Sequence, residues 1–190
     1  MKGGHSTGSE EAPIRKLGEQ VVYRNQFTAV YVDSIAFADG SADSYLRIVE
    51  SQGRPGVAML AISNSQVALV RTYRYPLASW EWAVPRGYAH GDDARMSARA
   101  ELAEELGQEP YHLTAIGTVT PNSGLLASRV ELFLARYATP VSHPADRKEV
   151  ADVKWINIKK LYSEIASGQI KDAFTLSAVI CAQARGLIEL

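Results

Sequence analysis

A single cysteine, Cys181, stands in the 190-residue chain. It excludes an intrachain disulfide framework and suits a reducing compartment. No apolar run reaches the roughly 18–20 residues that span a bilayer. Residues 1–13 lack the apolar centre of a secretory signal and are predicted to form a disordered leader. A charge excess is missing as well: 20 Lys and Arg stand against 21 Asp and Glu, a formal net charge of −1. The whole molecule therefore has no attraction to nucleic acid or an anionic membrane. Internal repeats, low-complexity tracts and a domain linker are also absent. A chain of about 100–200 residues usually makes one domain. One cytoplasmic domain over residues 14–190 is expected, with residues 14–55 as an N-terminal strand segment.

What is present is a succession of β-branched and aromatic stretches. Strands are predicted at 20–27, 28–37, 45–50, 57–62, 66–73 and 79–88, with turn chemistry at 38–41 and 63–65. A helix is predicted at 92–106 and closed by Gly107. Strands follow at 112–120, 130–137 and 153–156, and helices at 158–167 and 173–186. Strands first and helices late place the chain in the α/β (α+β) class.

The first helix carries Arg99-Ala-Glu-Leu-Ala-Glu-Glu-Leu-Gly107. At 100° per residue, Ala98, Leu102 and Leu106 fall within about 80° and form the buried stripe. Glu101, Glu104 and Glu105 share another face, and no residue at i±3 or i±4 gives Glu101 or Glu105 a cation. Each like-charged i,i+4 pair costs roughly 0.2–0.5 kcal/mol. The helix C-terminus disfavours anions by about 0.3–1 kcal/mol more. Solvated surface charge is the ordinary reading of such residues; uncompensated clustering points instead to a cation. Hard oxygen ligands select Mg²⁺ or Mn²⁺, and the lack of Cys or His at ligand spacing argues against zinc.

Loop 85–93 and this helix resemble the Nudix hydrolase signature, G-x5-E-x7-R-E-U-x-E-E-x-G-U. Glu101, Leu102, Glu104, Glu105 and Gly107 match its carboxyl half. Ala100 stands in place of the family's Arg, Gln108 in place of the final apolar residue, and the loop is one residue short, with Asp92 or Asp93 for the first Glu. Before the box, Arg71, Tyr73, Arg74, Trp82, Pro85 and Gly87 match the R-Q-Y/F-R and W-E-x-P-A-G segments of the ADP-ribose pyrophosphatase branch, whereas Thr72, Ala83 and Arg86 depart from them. Pro121-Asn-Ser-Gly, Lys148-Glu-Val150 and segment 168–173 resemble that branch's later loops and last helices.

The resemblance implies a Nudix-type α/β/α sandwich with a mixed sheet and N-terminal antiparallel strands. It implies Mg²⁺-dependent hydrolysis (Mn²⁺ as an alternative) of a nucleoside diphosphate linked to another moiety X, with ADP-ribose favoured. Glu101, Glu105, Glu104 and the Arg86 carbonyl are the expected metal ligands, and Glu149 or Glu104 the expected base. Arg71, Arg74, Gly87 and Pro121 are the expected substrate contacts; arginine suits phosphate because its planar fork donates two hydrogen bonds. Plainer readings stand beside these: exposed strand arginines for Arg71 and Arg74, core or interface for Trp80, Trp82 and Tyr88, solvent for His90, helix packing for Cys181. A nucleotide sensor with little turnover and a pure interaction protein are the other functional classes. Relatives of this branch pair through N-terminal strands, and Tyr23, Phe27, Tyr31 and Phe37 make a homodimer the expected assembly.

Overall fold

The computed structural model describes residues 12–89, 91, 93–144 and 149–189. Most of the expected leader, His90, Asp92 and Lys148 lie outside the described residues. The chain divides into two compact units, Met1–Gln52 with Leu125–Ala127, and Gly53–Gly124 with Ser128–Leu190.

The first unit is an antiparallel sheet of β1 (Ile14–Arg24), β2 (Thr28–Phe37) and β3 (Ala42–Glu50). The first strand starts six residues before the predicted 20–27 and stops sooner. Its end is chemical: the Asn25 carboxamide oxygen accepts from the Phe27 and Thr28 N–H groups at 2.8 and 2.7 Å, an Asx turn that closes the ladder. Its early start was hidden because Arg15, Lys16, Gly18 and Glu19 break the apolar alternation. Asp33 is buried, its carboxylate held by Arg47 Nε at 2.6 Å, and the Arg47 guanidinium lies over the Tyr31 ring. Segment 125–127 joins this unit through Ile48 N–H to the Leu125 carbonyl and Ala127 N–H to the Ile48 carbonyl, both 2.9 Å.

The second unit is built on β4 (Gly56–Ser63), β5 (Gln66–Arg74), β6 (Ser79–Ala83), β7 (Arg86–Tyr88), β8 (His112–Val119), β9 (Val130–Arg136) and β10 (Asp152–Asn157). The order is β10-β5-β4-β9-β8, mixed because β4 and β9 run parallel. Strands β4 and β5 pair only beside their turn, at Ile62–Val67 and Ser63–Gln66, and then separate. The predicted single strand 79–88 is two: β6 pairs antiparallel with β5, and β7 crosses to pair with β4. Val84-Pro85 marks the switch because proline has no N–H to give the ladder.

Side chains of β4 alternate between two dry layers. Val57, Met59 and Ala61 face helix α1 (Ala94–Leu106) through its buried Ala98, Leu102 and Leu106. Ala58, Leu60 and Ile62 face α2 (Ile158–Ala166) and α3 (Ala173–Ala184) through Leu161, Ala178, Val179 and Ala182. Helices thus cover both faces of a mixed sheet, as the resemblance implies. No helix among the described residues is long and apolar enough to cross a membrane.

Candidate metal-dependent active site

Helix α1 is fixed at both ends. The Asp93 carboxylate accepts from the Arg95 and Met96 N–H groups at 2.8 and 3.2 Å, the N-cap arrangement worth about 1 kcal/mol. Of the two aspartates that could replace the signature's first Glu, Asp93 is thus engaged in capping. Gly107 closes the helix at φ +89°, its N–H returning to the Ala103 carbonyl at 2.9 Å. With Leu102 and Leu106 buried against the sheet, the helical phase turns Glu101 and Glu105 toward β7.

Contact with β7 is intimate. A Cβ added at Gly87 would fall inside the Glu101 carboxylate, so only glycine admits this approach. One residue earlier, the Arg86 backbone N–H donates to Glu105 Oε2 at 3.0 Å. Burial first, and the Glu101 charge second, push the Glu105 carboxyl up to about 8. The Arg86 N–H and the Arg74 charge oppose that rise, and the Glu149 charge adds to it. Two carboxylates are therefore crowded in a poorly solvated place, a condition that a divalent cation relieves.

Among the described residues no three His, Cys, Asp or Glu side chains gather as a ready metal cage. The donor set at this place is a carboxylate pair beside the β7 backbone. It fits Mg²⁺, which keeps several waters and commonly takes one or two carboxylates together with substrate phosphates.

Residues 53–175 match the NUDIX domain family. The chain belongs to that family. It is a Nudix hydrolase, similar to ADP-ribose pyrophosphatase of Bacillus subtilis (strain 168), with 24% identity over 169 residues, 87% of this chain and 90% of the relative. It is also similar to a CMP-5'-(N-acetyl-N-hydroxy-3-aminopropyl)phosphonate hydrolase of Streptomyces rubellomurinus (strain ATCC 31215), at 25% identity over 155 residues, 80% of this chain and 73% of that one. A methanol dehydrogenase activator of Bacillus methanolicus is 26% identical over 169 residues, 87% and 90% of the two chains. The fold is shared with a crystal structure of an ADP compounds hydrolase, at a TM-score of 0.77 and 19% identity over 95% of this chain and 100% of the other.

Around the Nudix helix the expected residues separate into groups. Glu101, Glu105, Gly87 and the Arg86 backbone meet. Arg74 borders them: burial, then the Arg86 charge, lower its pKa, while Asp172, Glu105 and Glu81 pull the other way. Its Nε is buried without a hydrogen-bond partner among the described residues. The Arg71 guanidinium lies 4.8 Å above the Trp80 ring, which meets Tyr73 edge-on at 5.3 Å. Glu104 is exposed, as are Glu149 and Pro121, although Glu149 is near enough for its charge to act on Glu105. Trp82 packs on the α2–α3 side of the sheet beneath the Lys154 ammonium, and Cys181 packs in the same layer.

Asp172 and Thr175, to which the sequence assigns no individual role in the site, belong beside it. The Arg86 guanidinium pairs with Asp172 at 2.9 Å and lies 4.9 Å from the Phe174 ring centre. Asp172 Oδ1 accepts from Thr175 N and Oγ1 at 2.9 and 2.8 Å, and Thr175 Oγ1 accepts from Val84 N–H at 3.0 Å. Asp172 was recognisable as a helix cap from its place before segment 173–186. Its Arg86 partner, 86 positions away, was not.

Proposed function

We propose that this Nudix hydrolase cleaves the diphosphate bond of a nucleoside diphosphate linked to X in the presence of Mg²⁺. ADP-ribose is the favoured substrate, with AMP and ribose 5-phosphate as products. The observation that carries the reading is the close approach of Glu101 and Glu105 to Gly87 and the Arg86 N–H on β7. Similarity to the Bacillus subtilis ADP-ribose pyrophosphatase supports the choice of substrate. The Streptomyces relative, named as a hydrolase of a CMP-linked phosphonate, supports a nucleotide joined to a variable second half.

In this reading Glu101, Glu105 and the Arg86 carbonyl hold the cation, with Glu104 a further ligand if α1 brings it inward. When bound, the cation neutralises the diphosphate and makes the attacking water more acidic. Arg74 offers its guanidinium to a phosphate oxygen, and Arg71, stacked on Trp80, grips another oxygen of the substrate. Gly87 keeps the approach to the diphosphate open, and Pro121 shapes the loop at its margin. Glu149 accepts the water's proton, a role that requires about 2.6–3.2 Å reach in the substrate complex; Glu104 is the alternative. Arg74 and the α1 carboxylates thus divide the work between charge on the substrate and charge on the cation.

The working assembly in this proposal is a cytoplasmic homodimer. Strand β1 is exposed along its whole length, and Leu17, Val22, Tyr23, Phe27 and Leu46 of the same unit are each about half exposed or more, at 51%, 52%, 56%, 66% and 47%. So much apolar surface on one small sheet is characteristic of an interface. A second copy supplies the same surface under C2 symmetry and completes the substrate site.

A second reading has one observation behind it, the similarity to a methanol dehydrogenase activator. Under it the chain binds a nucleotide with little turnover and serves as a regulator. A panel of nucleoside diphosphate sugars and dinucleotides, assayed with Mg²⁺ and a coupled phosphatase, separates the two. Phosphate release from ADP-ribose supports the hydrolase; stabilisation by ADP-ribose without release supports the regulator.

A further inference from the structure

The family segment W-E-x-P-A-G ends with a small residue before its glycine, whereas this chain has Arg86 there. The residue is not idle. Its backbone N–H holds Glu105, its neighbour Gly87 receives Glu101, and its guanidinium reaches away to Asp172 on the N-cap of α3. Asp172 is 6% exposed and Arg86 23% at their side chains, so the pair is shielded from much of the screening that weakens surface ion pairs. Thr175, fully buried, carries the connection from Asp172 back to Val84 N–H. The chain of contacts therefore leaves β7 at residue 86 and returns to the β6–β7 connection at residue 84, enclosing Pro85. Pro85's carbonyl is in turn fixed by the Met59 N–H at 2.9 Å.

We propose that Arg86 (through its side chain), Asp172 and Thr175 are positioning residues that lock the Val84–Gly87 backbone in register with Glu101 and Glu105. A shift of a few tenths of an ångström in this backbone moves the Glu105 hydrogen bond, the space left for Glu101 and the Arg86 carbonyl together. The lock is needed here because β7 is only three residues long and its ladder to β4 ends at Arg86, with the Met59–Pro85 bond as the last backbone tie beyond it. Rigid, hydrogen-bonded partners behind metal ligands commonly govern affinity or activity by 10–100-fold. The inference rests on the assignment of Glu101 and Glu105 as the cation site.

The test is a titration of substrate-free protein with Mn²⁺, reading free Mn²⁺ by electron paramagnetic resonance well below the unfolding temperature. Asp172→Asn keeps a capping oxygen for Thr175 but removes the ion pair; Arg86→Ala removes the guanidinium and leaves the cap intact. Each is expected to weaken Mn²⁺ binding about tenfold and to lower kcat at saturating Mn²⁺. The double variant is expected to be no worse than either single, because both remove one connection. Arg86→Lys, which retains a cation for Asp172, is expected to recover part of the loss. Wild-type Mn²⁺ affinity in folded Arg86→Ala, or losses that add in the double variant, would overturn the lock while leaving the cation site in place. Failure of the wild-type protein itself to bind Mn²⁺ would overturn the site and the lock together.

Discussion

Glu101 and Gly87 occupy a space that admits only one side chain: the carboxylate of the helix residue lies where residue 87 would carry its Cβ. Sequence separation hides this, because the two are joined by a loop and two turns of helix. Gly87→Ala is expected to force Glu101 away from β7. The cost in stability is expected to be small, because the group displaced is the far end of a flexible side chain. The diagnostic effect is on function, a loss of at least about tenfold in both Mn²⁺ affinity and turnover in protein that still unfolds cooperatively. Calorimetry and a metal titration on the same preparation measure both.

Removal of one charge from the pair has the opposite effect on the metal-free fold. Glu105 has its carboxyl raised to about 8 in the folded protein, against an ordinary value of 4.5. The unfolded chain therefore releases this proton first, and metal-free stability falls as pH rises from about 4.5 toward 8. Glu105→Gln lacks this loss. At pH 7.5 without metal it is expected to melt at or above the wild-type temperature, with activity reduced more than about tenfold. A pH series of thermal melts with chelator present checks the crossing of the two curves.

On the proposed assignment of Glu105 as a cation ligand, the same raised carboxyl makes cation binding release a proton. Below about pH 8 the cation displaces a hydrogen from Glu105, so apparent affinity is expected to rise up to about tenfold per pH unit and to level off above it. Titration calorimetry in two buffers of different ionisation enthalpy counts the proton directly. A Glu105→Gln control is expected to release none at this site.

Truncation separates the roles of the N-terminal segments. Deletion of residues 1–13 stops before β1 and is expected to leave association and activity intact. Deletion through Phe37 removes β1 and β2 and is expected to abolish both. Sedimentation velocity alongside the hydrolase assay follows the two properties; an active monomer at working concentration would rule out a site completed by a second copy.

Sequence carried the helix of the site well and its strand poorly, for physical reasons. Asp93, the apolar stripe at Ala98, Leu102 and Leu106, and Gly107 are local signals, and the helix forms where they place it. Glu101 and Glu105 are 40° apart in helical phase, and Glu104 lies 60° on the other side of Glu101. The three were readable as a cluster, but the face that β7 covers was not. The break at Val84-Pro85 was obscured by the apolar residues that flank it. The Arg86–Asp172 pair depends on α3 returning to β7, and no local pattern encodes that encounter. In the N-terminal unit, Asn25 ends β1 through its own side chain, a signal present in the sequence but outweighed by the aromatic residues around it.

The central claim is that Glu101 and Glu105, held against β7, form the divalent-cation site of a diphosphate hydrolase. The most direct measurement is chromatographic detection of AMP and ribose 5-phosphate from ADP-ribose across a Mg²⁺ titration. Wild-type protein and the Glu101→Gln and Glu105→Gln variants are run side by side. The expected result is product formation that requires Mg²⁺ and falls more than about tenfold in each variant. Turnover by wild-type protein with both variants equally active at every Mg²⁺ concentration would contradict the site. Absence of nucleoside monophosphate from ADP-ribose and from every other diphosphate in the panel would contradict the activity.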